Sequence, residues 1–594
     1  MSLFSTVAEA VANVGAMFPE SGYIFQDMKG VETRYSYTEV EQLTAARAAA
    51  LQKLGLRKGD RIGLVVIEPE DFVLTFLGAL RVGVVPVPLY PPLSFGALDA
   101  YADRTARVLE LSRCRVLFAS ERLQNVLWAL VDKVATLERL VTVETLKDAT
   151  GTPVYPTIAP DDVAFLQYTS GSTSDPKGVI VPHASLMANS HAIIVEGLQK
   201  GQGKGMAVAW LPLYHDMGLI GFVVATMVNG MSSVFLPTMR FIKKPTVWFD
   251  AIHRHRGTVT FAPNFAYALI TRKATAEDMA GWDLSCMEAF GCGAEPIQAE
   301  TARAFTEKFS THSKMNPAAF LPAYGMAEAT LAISFKPLAA PFRTRLVDAE
   351  GFQADGHVRD AVEGRPSFEH VSCGPTFAGH EVAAFNERGE RMPEGVEGEL
   401  WLRGPSVTAG YFENAEATAA CFDAQGWLHT GDLGYLLQGE IYVTGRCKDL
   451  LILNGRNVHP QAIEWVAADV DGVRQGNVVA FARPGKESEE IVVVVETRAS
   501  EPAELERIRA EVARRVRQEV GVPPADVVCL APGSLPKTSS GKLQRRKTRS
   551  QYLAGELGQE GTRTMGASGD TVTVARHVAA SLWTRAKNTL FGGR

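Results

Sequence analysis

The chain has 594 residues, of which 46% are hydrophobic and 21% are charged. This length exceeds what one hydrophobic core serves, and the composition is that of a folded protein, so at least two domains are expected and a disordered chain is excluded. The net charge of −6 gives no general attraction for nucleic acid, which is therefore not expected as a partner.

Two further exclusions concern the location of the protein. The seven cysteines lie far apart without a Cys-x-x-Cys pair, which argues against a disulfide framework and a zinc site and favours a reducing, cytoplasmic location. At the N-terminus, no basic segment precedes the first apolar residues, so a secretory signal is not supported.

The first part of the chain alternates between helix and strand patterns. A capping box formed by Ser36 and Glu39 begins a helix that Gly55 ends. The elements predicted after it are strand 62–67, helix 71–80, strand 84–87, helix 98–111, strand 115–119 and a helix after residue 121. This alternation predicts a parallel sheet covered by helices on both faces, with ligands at the carboxyl ends of the strands.

Residues 168–178, with the sequence YTSGSTSDPKG, form a loop rich in hydroxyls and glycine between two strand-like runs. Lys177 precedes a glycine and a strand, whereas the lysine of a Walker P-loop leads into a helix. The exposed N–H groups and hydroxyls are suited to phosphate oxygens, although an ordinary Ser/Gly-rich turn is the alternative. The candidate phosphate-binding residues are Thr169, Ser170, Gly171, Ser172, Thr173 and Lys177.

Residues 219–236 are apolar enough to resemble a membrane span, but Asn229, Gly230 and Ser232 interrupt them. The pattern predicts a buried helix that runs into a buried strand, and no transmembrane segment.

Three later segments carry chemistry. Residues 324–328 (YGMAE) supply an aromatic ring and the carboxylate of Glu328, residues 430–432 (TGD) supply a hydroxyl and the carboxylate of Asp432, and residues 539–542 (SSGK) supply Lys542 in an exposed loop. Alone, a Thr-Gly-Asp is usually a turn and a Gly-Lys in a basic stretch is usually a solvated face. In this order after the 168–178 loop, the segments would rarely coincide by chance.

The C-terminal part has its own α/β pattern. A boundary is expected at residues 446–449, because a smaller segment with strands at 476–481 and 490–496 then runs to about residue 553. The predicted fold is therefore α/β, with a large N-terminal domain (1–445) of parallel sheets flanked by helices and a smaller α/β C-terminal domain (446–553) joined by a hinge. Residues 554–594 read as a linker and a basic amphipathic tail helix, which would dock on a partner or a membrane surface or pack on its own protein.

On these motifs the chain is identified as a member of the adenylate-forming superfamily, which includes acyl-CoA synthetases, luciferases and the adenylation domains of peptide synthetases. The resemblance covers roughly residues 20–550. It implies that the 168–178 loop binds the β- and γ-phosphates of ATP, that Glu328 binds Mg²⁺, that Asp432 holds the ribose hydroxyls and that Lys542 is the catalytic lysine.

The resemblance also implies further site residues. Lys448 matches the hinge position, and Arg446 matches a ribose or phosphate contact. The remaining residues matched to the ATP site are Gly293, Ala294, Glu295, Tyr324, Gly325, Met326 and Ala327. His215 is a candidate to flank the substrate carboxylate. The equal alternative is that His215 is a core histidine that positions the helix after it.

Within the superfamily, the chain most resembles the fatty acyl-AMP ligases. Segments 87–92, 210–219, 262–267 and 453–457 match that subgroup, and the polar stretch at about 345–370 matches in position an insertion that separates it from acyl-CoA synthetases. Two departures stand out, since Ala327 replaces a threonine of many superfamily members and His459 replaces a tyrosine frequent in the subgroup.

The resemblance implies a two-step activity. A fatty acid is activated with ATP to the acyl-adenylate, and the acyl group then passes to the phosphopantetheine of an acyl carrier protein. The alternatives are a long-chain acyl-CoA synthetase and, in another class, a catalytically silent ATP- or acyl-binding module. Phe222, Met227, Met231 and Phe265 are candidates to line the acyl pocket, unless they are core residues.

Overall fold

The structure is a computed structural model that describes residues 2–92, 98–169, 176–453, 456–485, 489–521, 523–538 and 541–558. Four of the candidate phosphate-binding residues, Ser170, Gly171, Ser172 and Thr173, lie outside these ranges, as does the predicted tail helix.

Strands occur along the whole length of the described ranges. The strands before residue 340 are β1 (Gly22–Gln26), β2 (Glu32–Ser36), β3 (Arg61–Val65), β4 (Val85–Pro88), β5 (Val116–Ala119), β6 (Arg139–Thr142), β7 (Val163–Thr169), β8 (Lys177–Pro182), β9 (Met206–Ala209), β10 (Ser232–Phe235), β11 (Val259–Ala262), β12 (Ala289–Cys292), β13 (Phe320–Gly325) and β14 (Ala332–Phe335). The later strands are β15 (Thr344–Asp348), β16 (Ser367–Val371), β17 (Glu381–Phe385), β18 (Gly398–Arg403), β19 (Leu428–Leu437), β20 (Glu440–Arg446), β21 (Leu451–Leu453), β22 (Arg456–Val458), β23 (Val473–Pro484), β24 (Glu489–Thr497) and β25 (Asp526–Leu530).

The α-helices of the same ranges are α1 (Val7–Met17), α2 (Tyr37–Lys53), α3 (Pro69–Arg81), α4 (Leu98–Leu111), α5 (Glu121–Leu127), α6 (Ala129–Lys133), α7 (His183–His191), α8 (Asp216–Leu219), α9 (Ala225–Val228), α10 (Thr238–Lys243), α11 (Val247–His255), α12 (Asn264–Lys273), α13 (Ala276–Gly281), α14 (Ala299–Ser313), α15 (Ala349–Asp355), α16 (Ala415–Ala420), α17 (Pro460–Ala468), α18 (Pro502–Val520) and α19 (Arg545–Leu553). Two segments, Ala192–Gly197 and Ile220–Val224, are π-helical. Among the helices within the described ranges, none combines the length and the apolar content needed to span a bilayer.

Two sheets of the large N-terminal domain confirm the predicted α/β class. Strands β4-β3-β5-β6 form a fully parallel sheet. An eight-stranded mixed sheet has the order β14-β13-β12-β11-β9-β10-β1-β2, and its strands β9 to β13 run parallel. The capping box of Ser36 and Glu39 begins α2 as predicted, and residues 219–236 form buried helical turns followed by β10.

The parallel strands of the larger sheet position the candidate site. The 210–219 segment follows β9, residues 263–265 follow β11, residues 293–295 follow β12, and the YGMAE segment ends β13. Because these strands run parallel, their carboxyl ends lie at one edge of the sheet, where the α/β pattern predicts ligands.

The second half of the chain departs from the parallel pattern. Strands β17-β18-β19-β20 form an antiparallel sheet, and the small C-terminal domain has the sheet β23-β24-β25 with α17 and α18 against it. The small domain has a hydrophobic core of its own, which includes Leu451, Ile463, Val493 and Ile508.

The polar stretch at 345–370 is an ordered element and not a bare surface loop. Strands β15 and β16 pair antiparallel with α15 between them. Val347 and Phe352 from this element pack with Tyr435 and Tyr442 of β19 and β20 in one buried cluster. The insertion is thus attached to the last sheet of the large domain, beside the connection to the small domain.

Candidate active site

One large cleft, with a volume of about 3250 Å³, runs between the two domains. It is lined by every described residue that the sequence predicted for catalysis, ATP binding or the hinge: Thr169, Lys177, His215, Gly293, Ala294, Glu295, Tyr324, Gly325, Met326, Ala327, Glu328, Asp432, Arg446, Lys448 and Lys542. Segments separated by several hundred residues therefore meet in one concave site, which is the usual form of a small-molecule site.

The 168–178 loop joins two paired strands, as predicted. Strands β7 and β8 form an antiparallel hairpin in which Thr169 is paired with Lys177. The Lys177 ammonium lies over the ring of Tyr411, 4.9 Å from its centroid. The described ends of the loop thus hold a hydroxyl and a cation beside each other at the cleft.

Asp432 is the centre of a buried polar cluster. Its carboxylate accepts a hydrogen bond from the Tyr324 hydroxyl at 3.0 Å and forms an ion pair with Arg446 Nε at 2.9 Å. Asp432 is 5% exposed, and its charge raises the pKa of Arg446. A carboxylate held in this way is a fixed acceptor for hydroxyl groups.

The backbone around Asp432 explains how the TGD segment reaches the cleft. The segment lies inside β19 and not in a free turn, at a point where the register with β18 shifts. Gly431 has φ +70°, and its N–H donates to Glu399. A glycine with left-handed backbone geometry inside a bulge changes the direction of the side chain that follows it, which here is Asp432.

Glu328 is held by groups that the sequence did not reveal. Tyr411 donates from its hydroxyl to Glu328 Oε1 at 2.8 Å, and Thr408 donates from its N–H and its hydroxyl to the Glu328 carbonyl, each at 2.9 Å. Desolvation and the neighbouring carboxylate raise the pKa of Tyr411, so the phenol stays a hydrogen-bond donor. Tyr411 carries no motif of its own and is found only through this contact.

The Glu328 carboxylate suits a magnesium ion. Mg²⁺ is commonly bound by one or two carboxylates together with substrate phosphates, not by an all-protein cage. Glu328 offers such a carboxylate at the cleft, with one oxygen oriented by Tyr411.

Residues 293–295 form a tight connection after β12. Ala294 adopts φ +68°, and a Cβ on Gly293 would lie 3.0 Å from the Ala323 carbonyl oxygen, so the chain passes close to β13 here. Glu295 accepts a hydrogen bond from the Phe265 N–H at 2.9 Å. Desolvation raises the pKa of Glu295, and the positive charge of Lys542 opposes that shift.

Lys542 comes from the small domain and faces the large one. Its loop is closed by a hydrogen bond from Thr538 N–H to the Lys542 carbonyl at 2.7 Å, and the residue is exposed. Desolvation lowers the pKa of His215, to which the positive charge of Lys542 adds, and desolvation raises the pKa of Asp432, which the same charge opposes. Lys542 thus lines the same cleft as the Asp432 cluster, from the side of the small domain.

His215 is a neutral imidazole in this setting. Desolvation lowers its pKa to about 4; Asp216 opposes the shift and the charge of Lys542 adds to it. At neutral pH the ring can donate a hydrogen bond to a carboxylate but carries no positive charge. The Lys542 side chain lines the same cleft as His215 and carries a positive charge.

The apolar part of the cleft contains three of the four candidate acyl-pocket residues. Phe222, Met231 and Phe265 line it, whereas Met227 is fully buried in the core and does not. Ile193 and Ile194 of one π-helical segment and Phe222 of the other belong to this wall. Such segments widen a helix locally and are frequent at functional sites.

Comparison with known proteins identifies the family of the chain. The AMP-binding enzyme family matches residues 13–412, and the AMP-binding enzyme C-terminal domain matches residues 455–547. A Caulobacter vibrioides protein named provisionally as an acyl-CoA synthetase is 37% identical over 525 residues, which cover 88% of this chain and 91% of that protein. The long-chain-fatty-acid–AMP ligase FadD26 of Mycobacterium tuberculosis is 33% identical over 552 residues, which cover 89% of this chain and 92% of that ligase.

Solved structures agree with this relationship. A chain from structural and functional studies of fatty acyl-adenylate ligases from E. coli and L. pneumophila superposes with a TM-score of 0.86 at 34% identity, covering 93% of this chain and 98% of that one. The resemblance expected from the motifs is thereby confirmed, and the chain belongs to the AMP-binding enzyme family, as a ligase related to the fatty acyl-AMP ligases.

Proposed function

We propose that the protein activates a fatty acid with ATP, releases pyrophosphate, and transfers the acyl group to the phosphopantetheine thiol of an acyl carrier protein. The observation that carries the proposal is the single cleft that joins the Asp432 cluster, Glu328, Lys542 and the apolar wall. The fatty-acid and AMP-ligase names of the relatives support the same substrates.

The first step joins two anions, so the site must supply positive charge and alignment. A carboxylate oxygen of the fatty acid forms a bond to the α-phosphorus, the bond from that phosphorus to the bridging oxygen breaks, and pyrophosphate leaves. In the proposal, Asp432 accepts hydrogen bonds from the ribose hydroxyls, the 168–178 loop holds the leaving phosphates, and Lys542 neutralises the oxygens that meet at the α-phosphorus. No protein nucleophile is required, as in other in-line phosphoryl chemistry.

Magnesium is assigned to Glu328. The ion would supply charge neutralisation on the ATP phosphates when bound. The Glu328 carboxylate would be its protein ligand, and the Tyr411 hydroxyl would orient that carboxylate.

Replacing Tyr411 with phenylalanine tests this assignment. The variant keeps the ring under Lys177 and removes only the hydrogen bond to Glu328. We expect the Mg²⁺ concentration needed for half-maximal pyrophosphate release to rise about tenfold, since loss of a group that orients a metal ligand typically costs about 10- to 100-fold. An unchanged Mg²⁺ dependence would show that Tyr411 does not orient a metal ligand.

The hinge is assigned to Lys448, with the domain boundary at residues 446–449. Arg446 is tied to the large domain by its ion pair with Asp432 at 2.9 Å. Asp449 is tied to the small domain by an ion pair with Arg545, which also binds Glu464 of α17 at 2.8 Å. A rotation of one domain relative to the other would therefore change the backbone dihedral angles of Cys447 and Lys448, which lie between the two anchored residues. The rotation would expose the acyl-adenylate to the acceptor thiol.

The runner-up function is a long-chain acyl-CoA synthetase, which shares the first step. The provisional name of the Caulobacter relative favours it. The insertion favours a carrier protein, because it contacts the small domain: Gln353 Nε2 donates to the Val520 carbonyl at 3.5 Å, and Glu350 lies 3.9 Å from Arg456. An element that touches both sides of the hinge is suited to limit the rotation that the second step needs.

Deleting residues 345–370 tests the role of the insertion. We expect the deletion variant to keep adenylation and to gain measurable acyl-CoA formation, because the small domain would rotate more freely. The matched control is the double variant Glu350→Ala and Gln353→Ala, which keeps the β15–β16 pair and removes only these two contacts. A deletion variant that folds and adenylates but forms no acyl-CoA would count against a restraining role.

The proposed function is tested by incubating the protein with ATP, Mg²⁺ and a panel of fatty acids while following pyrophosphate release. Mass spectrometry then identifies the products with coenzyme A or with a phosphopantetheinylated carrier protein as acceptor. Acyl-adenylate and acyl-carrier are expected. Acyl-CoA as the main product would favour the synthetase, and no pyrophosphate with any acid would favour a silent binding module.

The proposed location is the cytoplasm. All seven cysteines lie within the described ranges as free thiols, which fits the reducing compartment predicted from their spacing.

A further inference from the structure

A buried contact between a glutamate and a histidine joins the two domains across the hinge. Glu397, just before β18, belongs to the large domain, and His459, just before α17, belongs to the small one. Their side chains approach to 3.1 Å between Oε1 and Nε2, and each side chain is 6% exposed. Since Lys448 lies between these residues in the chain, rotation at the hinge separates the pair.

The pair is enclosed on several sides. The Thr444 hydroxyl of β20 donates to Glu397, and the Glu397 N–H donates to the Gly356 carbonyl of the insertion at 2.9 Å. The His459 ring packs against Gly445, where a Cβ would lie 2.6 Å from Nδ1. Phe352 of α15 covers the ring at a centroid distance of 6.2 Å.

Two ionisable groups of the described chain near the pair are neutral at neutral pH. Desolvation, with a smaller effect of His459, lowers the pKa of His370 on β16 to about 4; its Nδ1 lies 3.1 Å from the Tyr435 hydroxyl of β19. Arg345 of β15 forms its ion pair with Asp360. Cys447 faces Glu399 and Glu397, and desolvation raises its pKa to about 12, so it stays a neutral thiol.

The carboxylate of the pair is ionised. Desolvation disfavours its charge, but contact with His459 and the Thr444 hydroxyl outweighs this cost, and the pKa of Glu397 is below its ordinary value. The ionised carboxylate lies in a water-poor site, where its contacts with polar groups count for more than at the surface. Removing His459 leaves this buried carboxylate with one polar contact fewer, which is unfavourable.

We propose that Glu397 and His459 form a latch that holds the small domain in the orientation for adenylation, so that they are positioning residues for the first step and not for the second. The inference rests on the proposed two-step function. Opening for thiol transfer breaks the contact and lets water reach both groups. The latch thereby sets how often the closed orientation, with Lys542 at the nucleotide, is populated.

The latch also gives the two steps different pH dependences. The contact depends on the charge of Glu397. It weakens as the pH falls through the lowered pKa of Glu397 and the carboxylate takes up a proton. Lowering the pH should therefore slow adenylation relative to transfer.

The test uses His459→Gln, Glu397→Gln and the double variant, with the two steps measured separately. Adenylation is followed as pyrophosphate release in a single turnover with dodecanoic acid, and transfer is followed from synthetic dodecanoyl-adenylate to pantetheine. We expect each single variant to lose about tenfold or more in adenylation with transfer unchanged or faster, and the double variant to be no worse than the singles. His357→Gln, an exposed histidine paired with Asp355 in the insertion, is the matched control and should change neither step.

If the other variants fold poorly, Thr444→Val provides a milder test, because it removes only one hydrogen bond to Glu397. This variant should also lose adenylation activity selectively, but to a smaller degree. In the native protein, the ratio of adenylation to transfer should fall as the pH is lowered through the titration of Glu397, whereas in Glu397→Gln it should be flat. Equal losses in both steps, additive effects in the double variant, or identical pH profiles would overturn the latch.

Hydrogen exchange on the free protein separates this inference from the proposed function. Breaking the latch should speed amide exchange in α15 and at the start of α17 in both single variants, whether or not the protein adenylates a fatty acid. Unchanged exchange in both variants would refute the latch. Absence of pyrophosphate release by the native protein would refute the proposed function instead.

Discussion

Replacing Lys542 with alanine is expected to slow acyl-adenylate formation by a factor of about 10²–10³, the usual loss when one preorganised electrostatic group of a transition state is removed. The Lys542 side chain belongs to the small domain and lines the cleft that also holds His215 and Asp432. Since the proposed ribose and phosphate contacts come from the large domain, ATP affinity should change little. Single-turnover pyrophosphate release and ATP titration measure the two effects separately.

A matched control removes a different cation from the small domain. Arg509 is half-exposed on α18, pairs with Glu506 at 3.2 Å and does not line the cleft. Arg509→Ala should leave both adenylation and ATP affinity unchanged. Native rates of pyrophosphate release from Lys542→Ala would remove this residue from the first step.

Replacing Asp432 with alanine should have its main effect on ATP binding. The substitution removes both oxygens proposed to accept the ribose hydroxyls and leaves Arg446 and the Tyr324 hydroxyl without their partner. A hydrogen bond to a charged group contributes about 1.5–3 kcal/mol, so the Kd of ATP should rise about 10²-fold. Titration of the folded variant with ATP measures this.

Asp432→Asn is the corresponding conservative variant. It keeps the shape and one oxygen acceptor but loses the charge that pairs with Arg446, so an intermediate loss of ATP affinity is expected. Thermal unfolding of both variants shows how much of the effect comes from stability. If both bind ATP as the native protein does, Asp432 does not hold the ribose.

The sequence was sufficient where chemistry lies in short motifs. The strand-like runs around residues 168–178 predicted a loop between strands, and the pairing of Thr169 with Lys177 confirms it. The parallel βα order predicted that ligands lie at the carboxyl ends of strands, and the segments after β9, β12 and β13 meet there.

The sequence was insufficient where function depends on long-range contacts. Tyr411 reaches Glu328 from 83 positions away, and no local pattern marks it. The TGD segment suggested a turn, but tertiary pairing places it in β19 with a bulge at Gly431. Met227 had the same apolar character as Met231, and only the packing shows that it lies in the core while Met231 lines the cleft.

Long-range folding also explains the insertion and the latch. Polar residues at 345–370 suggested an exposed loop, yet Phe352 and Val347 anchor them on Tyr435 and Tyr442. In the sequence, His459 is marked only by its departure from the tyrosine of the subgroup. Its contact with Glu397 depends on the packing of two domains against each other. The spacing of residues along the chain does not predict that packing.

The most direct measurement is an experimental structure with a hydrolysis-resistant acyl-adenylate analogue bound. Asp432 should accept hydrogen bonds from the ribose hydroxyls, the acyl chain should lie against Phe222 and Met231, and Lys542 Nζ should lie within hydrogen-bond distance of the α-phosphoryl oxygens. A bound analogue with Lys542 remote from the phosphoryl group and the domains still closed would contradict the proposal.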